Sequence, residues 1–432
     1  MKIKSSGSNP LMAIGVCVLM ILALVAFRSL DKKKVEVIEV PSIERKTTLN
    51  SLQITVREKH YRKLKEKRNE ALADGILETD DNDYVPGIIT FDGKDYDAEL
   101  RLKGDWTDHL QDDKWSYRIK LKNDQTIMGM RKFSVHHPKT RGYVNEWLYH
   151  KANKAEDLIG LRYQFAEGFL HIKLKNPEDS IEFINKNVGI YAIEETFDKR
   201  TIESNRRKEG VILRISEQYF WKETKQAWKI ANQTGSRANP KRIPKFIGPR
   251  NEYVSTFGLS KILADKALNK QFKHAKNLLE TYRLGRLKPS EVFDTKKLAL
   301  HTAINNLFGA YHGLEAINLR FYYNPTTSKL EPIAYDGNSG ERLKEFHHYL
   351  YTNKEIDIEY TKELIAALEL VSHPEYLKIL FDNFYKEAKG FDAILQREFG
   401  KHIVIDKNVY AHNQTILRQE AQRLKILIQS DI

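Results

Sequence analysis

The sequence predicts an α+β protein: a small antiparallel sheet followed by a mainly helical part, behind an N-terminal transmembrane helix. Three observations predict it. Leu11 to Phe27 is an unbroken apolar run. From about residue 86, apolar and polar residues alternate with the period of a strand. Beyond residue 345, KELIAALELV, YLKILFDNFYKEAKGF and ILRQEAQRLKILI carry apolar residues at helical spacing.

Composition fits a folded chain. Of 432 residues, 41% are hydrophobic and 30% charged, enough apolar surface to bury a core. Lys and Arg number 71 against 58 Asp and Glu, leaving +13, which suits anionic partners. The single cysteine, Cys17, excludes an intramolecular disulfide and a cysteine-based zinc site. No zinc-finger, basic-zipper or RNA-recognition pattern is present, so nucleic acid is not an expected partner.

Residues 1–10 form an N-terminal tail, and 11–28 read as a transmembrane anchor or signal. The run is close to the lower limit of roughly 17–25 residues for a spanning helix, and Arg28-Ser29-Leu30 offers no cleavage site. Lys2 and Lys4 ahead of it resemble an export signal, which would place the large domain outside the cytoplasm. Residues 29–82 read as a juxtamembrane helical segment, with 53–74 a charged, solvated helix.

The main domain is expected over 83–345. GIITF, Asp92-Gly93 and YDAELRLKG spell a hairpin, and WSYRIKLK adds a strand. Leu100 and Leu102 share one face against Glu99, Arg101 and Lys103. Likewise Trp115, Tyr117, Ile119 and Leu121 oppose Ser116, Arg118, Lys120 and Lys122, so one side of the sheet is apolar and the other basic. A helix is expected over 144–157, then strands near FAEGFLHIKL, VGIYAI and GVILRI. A polar, proline-containing stretch, 221–252, reads as a basic loop. Helices return over 255–310, and 346–432 reads as the helical C-terminal part of the same domain. The adjacent pairs His136-His137 and His347-His348 do not point the same way, which disfavours a metal role.

Residues 296–340 carry the chemistry. A helix is expected to end near Gly309, and a hairpin centred near Thr327 to bring Asn318 and Asp336 together at its mouth. One amide oxygen and one carboxylate there form a platform for Mg²⁺ and phosphate oxygens. Asp-Gly-Asn-Ser-Gly is equally good turn chemistry.

In order, LRLKGDW, KWSYRIKL, NEWLYHKA, VGIYAIEETFDK, LALHTAINNLFG, INLRFYYNP and PIAYDGNSG make residues 86–345 resemble the spore-coat-protein-H (CotH) kinase family. The resemblance implies a protein-kinase-like bilobal fold, with ATP and Mg²⁺ as cofactors and phosphoryl transfer to a protein or glycan hydroxyl. It implies Lys120, or else Lys103, as the phosphate-contacting lysine, Glu146 as its partner, and Glu195 in the segment holding the adenine. Asn318 and Asp336 would be metal ligands. A kinase places a carboxylate about five residues before the metal-binding Asn. Gly313 stands there instead, leaving His312 or Glu315 to handle the acceptor's proton. The alternatives are a pseudokinase holding an anionic ligand without turnover, and an envelope scaffold whose basic loop 237–250 contacts an anionic polymer.

Overall fold

The computed structural model describes residues 48–175, 181–234, 252–349, 357–400 and 405–430. Seven strands form a closed barrel: β1 (Asn50–Arg57), β2 (Val85–Phe91), β3 (Lys94–Leu102), β4 (Tyr117–Leu121), β5 (Lys132–His136), β6 (Tyr163–Lys175) and β7 (Ile181–Glu195). Around the barrel the order is β1-β2-β3-β4-β5-β7-β6. Only β1 against β6 is parallel; the other neighbours are antiparallel. The expected hairpin is present, with Asp92 and Gly93 both at positive φ, as a two-residue type I′ turn requires.

Closure corrects the expected fold class. The protein is not a kinase-like bilobal domain with a small antiparallel sheet, because β1 joins both ends of that sheet. Leu52, Ile54 and Val56 alternate inward and are buried, while the polar residues between them face out. In the sequence this signal is overshadowed by the charged helix that follows, α1 (Glu58–Asp74), which begins at Glu58 and not at Gln53. Pairing β1 with β2 and β6 leaves neither as a free edge. The inward residues of the barrel, with Leu64 and Ala71 of α1, make one apolar cluster.

The remaining part is not purely helical either. After α2 (Val144–Ala155) and α3 (Lys199–Ser204) comes β8 (Ile212–Ile215), then α4 (Gln218–Thr234), β9 (Val254–Thr256), α5 (Leu259–Ala264), α6 (Lys266–Arg283) and α7 (Pro289–Val292). The central helix α8 (Thr295–Leu307) is followed by β10 (Arg320–Asn324) and β11 (Lys329–Pro332). Strands β11-β10-β8-β9 form a second antiparallel sheet. Helices α9 (Ile358–Ser372), α10 (Pro374–Phe399) and α11 (Lys407–Ser430) complete the chain. Every residue of α8 from Leu298 to Leu307 is buried; most are apolar or small, and the polar Thr302, Asn305 and Asn306 donate to backbone carbonyls of the same helix. It shares one core with α2, α9, α10 and α11.

The expectation of a single-pass membrane protein is also corrected: among the described residues no helix is long and apolar enough to cross a membrane. Residues 11–28, on which it rested, lie outside the described residues, as does the basic loop 237–250.

Candidate functional site

A polar cleft of about 270 Å³ opens beside the outer face of β3 and β4. Their inward residues, Leu100, Leu102, Ile119 and Leu121, are buried in the barrel, so alternation turns Arg101 and Arg118 outward. Lys103 and Asp105 follow on the loop after β3, and Arg141 comes from the turn before α2. Glu217 and Trp221 stand at the start of α4, Arg320 opens β10, and His312, Asn318 and Asp336 belong to the loops flanking β10 and β11. The cleft thus gathers the cations Arg101, Lys103, Arg118, Arg141 and Arg320 around the carboxylates Asp105, Asp108, Glu217 and Asp336. Trp106 and Trp221, edge to face with centroids 5.0 Å apart, form an aromatic wall.

Beneath this surface lies a buried ionic network. Lys103 Nζ donates to Glu194 Oε2 at 3.1 Å, and Arg141 Nε to Glu194 Oε1 at 3.4 Å. Burial alone would raise the Glu194 carboxyl, but Lys103 and Arg141 hold it well below the ordinary range. Burial, reinforced by the neighbouring Arg141, pushes the Lys103 ammonium down to about 8. His136 and His109, also buried here, are held well below their ordinary value by burial and by the positive charge of Lys103. The cations differ in their freedom. Arg320 donates to the Ile317 carbonyl at 2.7 Å and pairs with Glu217 at 3.4 Å. Among the described residues Arg118 has no hydrogen-bond or ion-pair partner, and its Nε is buried without one.

The loop after β11 brings Asp336 into the cleft. Asp336 and Asn338 sit at positive φ and Gly340 at 108°, a sequence of left-handed turns. Glu146 on α2 holds that loop: its carboxylate accepts from Gly337 N at 3.1 Å and from Ser339 Oγ at 2.7 Å. Burial pushes Glu146 up to about 7, although Ser339 and Arg141 pull the other way. Gly142 has φ +75°, and a Cβ there would sit 2.2 Å from Ser339 O, so only glycine lets the turn carrying Arg141 approach. Arg141 Nη1 then lies 2.9 Å from Asp336 Oδ1, off the line of a hydrogen bond, and Oδ1 is left a buried acceptor without a donor.

The expected residues divide. Lys103, His312, Asn318 and Asp336 meet in the cleft. Asn318 closes a short 3-10 turn and does not begin a strand; its Nδ2 donates to the His312 carbonyl at 3.0 Å. The hairpin pairs Phe321 with Pro332, one residue out of the register that would set Asn318 opposite Asp336. His312 lies 3.9 Å from Asp336 Oδ1 and 3.5 Å from Glu315 Oε1. Burial would lower its pKa, but Glu315 and Asp336 outweigh that and raise it. Glu315 itself stands half exposed behind His312.

The others lie elsewhere. Lys120 sits over the Tyr84 ring at 3.7 Å and pairs with Asp81, away from the cleft. Glu146 braces the loop and pairs with neither lysine. Glu195 is taken by Arg162 at 2.5 Å and by Thr201. Sequence reasoning missed Glu194 as the partner of Lys103, and also Arg141, Glu217 and Arg320. Arg101 and Arg118 were visible on the basic face, but not as site residues.

Among the described residues no group of three or more His, Cys, Asp or Glu side chains is arranged to hold a metal ion. A divalent cation here would rest on Asp336, whose Oδ1 lacks a donor, and on Asn318. Its remaining ligands would come from the bound molecule, the usual way Mg²⁺ binds with phosphates. No protein-family model matches the chain, and no curated protein matches it.

Proposed function

We propose that the chain transfers a phosphoryl group from a nucleoside triphosphate, with Mg²⁺, to a hydroxyl of a protein or glycan acceptor, the chemistry of the CotH kinase family. The observation that carries this reading is the convergence of three separated segments on one cleft: LRLKGDW with Lys103 and Asp105, INLRF with Asn318 and Arg320, and PIAYDGNSG with Asp336. These are segments on which the resemblance rests, and the reading concerns their chemistry, not a kinase fold.

The parts divide the work. Arg118, whose side chain makes no hydrogen bond or ion pair among the described residues, and Lys103 meet phosphate oxygens. Asp336 and Asn318 hold the cation. At about 270 Å³ the cavity falls just below the ~300–1,000 Å³ common for small-molecule sites, so it suits the phosphates while the nucleoside lies against Trp106 and Trp221. The acceptor oxygen bonds to the transferred phosphorus as the bond to the leaving diphosphate breaks. The hydroxyl proton passes to Asp105, a solvent-accessible carboxylate in the cleft. His312, kept protonated to higher pH by Glu315 and Asp336, suits donation to a phosphate oxygen better than proton abstraction.

A second reading, anion binding without turnover, is favoured by Gly313 in the place of a carboxylate and by the hold of Arg141 on Asp336. Labelled ATP with a serine-bearing peptide separates the two. Label transfer that is lost in Asp336→Ala supports phosphoryl transfer. ATP binding with no transfer by the wild type supports the second reading.

A further inference from the structure

Strand β7 outruns its neighbour on one side. It pairs with β6 from Ile181 to Glu195, but with β5 only over 192–195. Residues 182–187 therefore present an edge that, among the described residues, no other strand meets. Nearer β5 the same edge is capped: the Ile190 N–H donates to Glu398 Oε2 at 2.7 Å, and the Ile190 carbonyl accepts from Lys114 Nζ at 3.0 Å. Over 182–187 the described residues supply no such cap. An unpaired row of N–H and carbonyl groups is a template for another strand.

This edge also holds large apolar side chains in solvent: Phe183 is 47% exposed and Ile184 45%. Ile184 stands directly across from Ile172, a buried member of the barrel core, so the apolar face of the sheet runs out to the open edge. Sheets guard such edges with proline, a bulge or charges that repel a second strand. Proline is absent from β7, and the bulge at Gly168/Phe169 lies outside 182–187. The two charges of the segment attract a second copy instead of repelling it. Glu182 and Lys186 stand two residues either side of Ile184. When two such edges run antiparallel with Ile184 opposite Ile184, each Glu182 faces a Lys186 and each Phe183 faces an Asn185. Centring the pair on Phe183 or on Asn185 would instead set Ile184 against Glu182 or against Lys186. Lys186 Nζ lies 3.2 Å from Asp113 Oδ1, but Asp113 is 74% exposed, and an ion pair in solvent is weak enough to exchange partners.

We infer that residues 182–187 are the interface of a two-fold dimer, in which β7 of one copy extends the sheet of the other. Backbone hydrogen bonds join the two strands, Ile184 meets Ile184 on the axis, and Glu182 pairs with Lys186 twice. A self-complementary edge fits a second copy of this chain better than an unrelated strand. The inference does not depend on the chemistry of the cleft.

The test is sedimentation velocity of the full chain across a dilution series, paired with cross-linking. A reversible monomer–dimer equilibrium is expected. Glu182→Lys and Lys186→Glu should each weaken it about tenfold or more, since both cross-strand pairs become repulsive. Mixed in equal amounts, the two variants should associate as well as the wild type, because each supplies the charge that the other lacks. In a Cys17→Ser background, Ile184→Cys should form an intermolecular disulfide under copper–phenanthroline, because directly opposed Cβ atoms lie only ~4.5–5.5 Å apart. Asn187→Cys, whose two copies this register holds far apart, should not. Circular dichroism of each variant confirms that it is folded. A wild type that is monomeric at every concentration, association indifferent to both charge reversals, or equal cross-linking at 184 and 187 would each overturn the assignment.

Discussion

The two sides of the cleft are built differently. Its cationic side stands largely on the barrel, where Arg101 and Arg118 project from β3 and β4 because alternate residues fill the core. The side proposed to hold the metal stands on loops, where Asp336 and Asn338 occupy left-handed conformations and Glu146 must brace the backbone. Strand register positions the first side with no added device. The second needs a buried carboxylate, a glycine at 142 and an ion pair to Arg141. Binding should therefore be robust and chemistry fragile.

The largest effect is expected on the loop side. Asp336→Ala should lower phosphoryl transfer by on the order of 10³-fold or more while the far-UV circular dichroism stays unchanged, since a preorganised charge at the reacting group is lost. On the strand side, Arg118→Gln should weaken ATP binding about 10–100-fold by calorimetry. One charge-assisted contact is worth about 1.5–3 kcal/mol, and each 1.4 kcal/mol is about tenfold.

The brace has its own signature. Glu146 has a folded pKa of about 7 against an ordinary 4.5, so the folded state binds its proton more tightly than the unfolded state. Its contribution is fully present below the unfolded pKa and is lost as pH rises through the folded one, at up to about 1.4 kcal/mol per pH unit. Denaturant titrations should show Glu146→Gln flattening the fall in stability between those two values. An unchanged slope would remove Glu146 from the account. The smallest effect belongs to Lys120→Met, which should leave ATP affinity within about twofold, because Lys120 serves Asp81 and Tyr84 outside the cleft.

The same contrast explains what could be read in the sequence. The hairpin at Asp92-Gly93, the basic face with Arg101, Arg118 and Lys103, and the helix expected over 144–157, which ends at Ala155, follow from local period and turn chemistry. Arg118 and Lys120 share that face, yet only Arg118 reaches the cleft, because the cavity opens at one end of the strand. Barrel closure depends on pairing β1 with β6, more than a hundred residues away, and no local pattern announces a partner at that distance. Likewise Glu194 and Glu195 are adjacent and so point to opposite faces. The sequence reading chose Glu195, while the carboxylate that meets Lys103 is Glu194. Asp336 was legible from the turn chemistry of Asp-Gly-Asn-Ser-Gly after the returning segment, although β11 stops at Pro332 and Asp336 lies on the loop beyond it. The approach of Arg141 was not, since it depends on the turn at Gly142 packing against Ser339.

The most direct test of the central claim is calorimetric titration of the chain with ATP in the presence and absence of Mg²⁺, with Arg118→Gln and Asp336→Ala alongside. The account predicts saturable binding that Mg²⁺ strengthens in the wild type. Arg118→Gln should weaken it with or without the metal, and Asp336→Ala should abolish only the Mg²⁺-dependent part. Absence of ATP binding by the folded wild type, or binding indifferent to both substitutions, would contradict it.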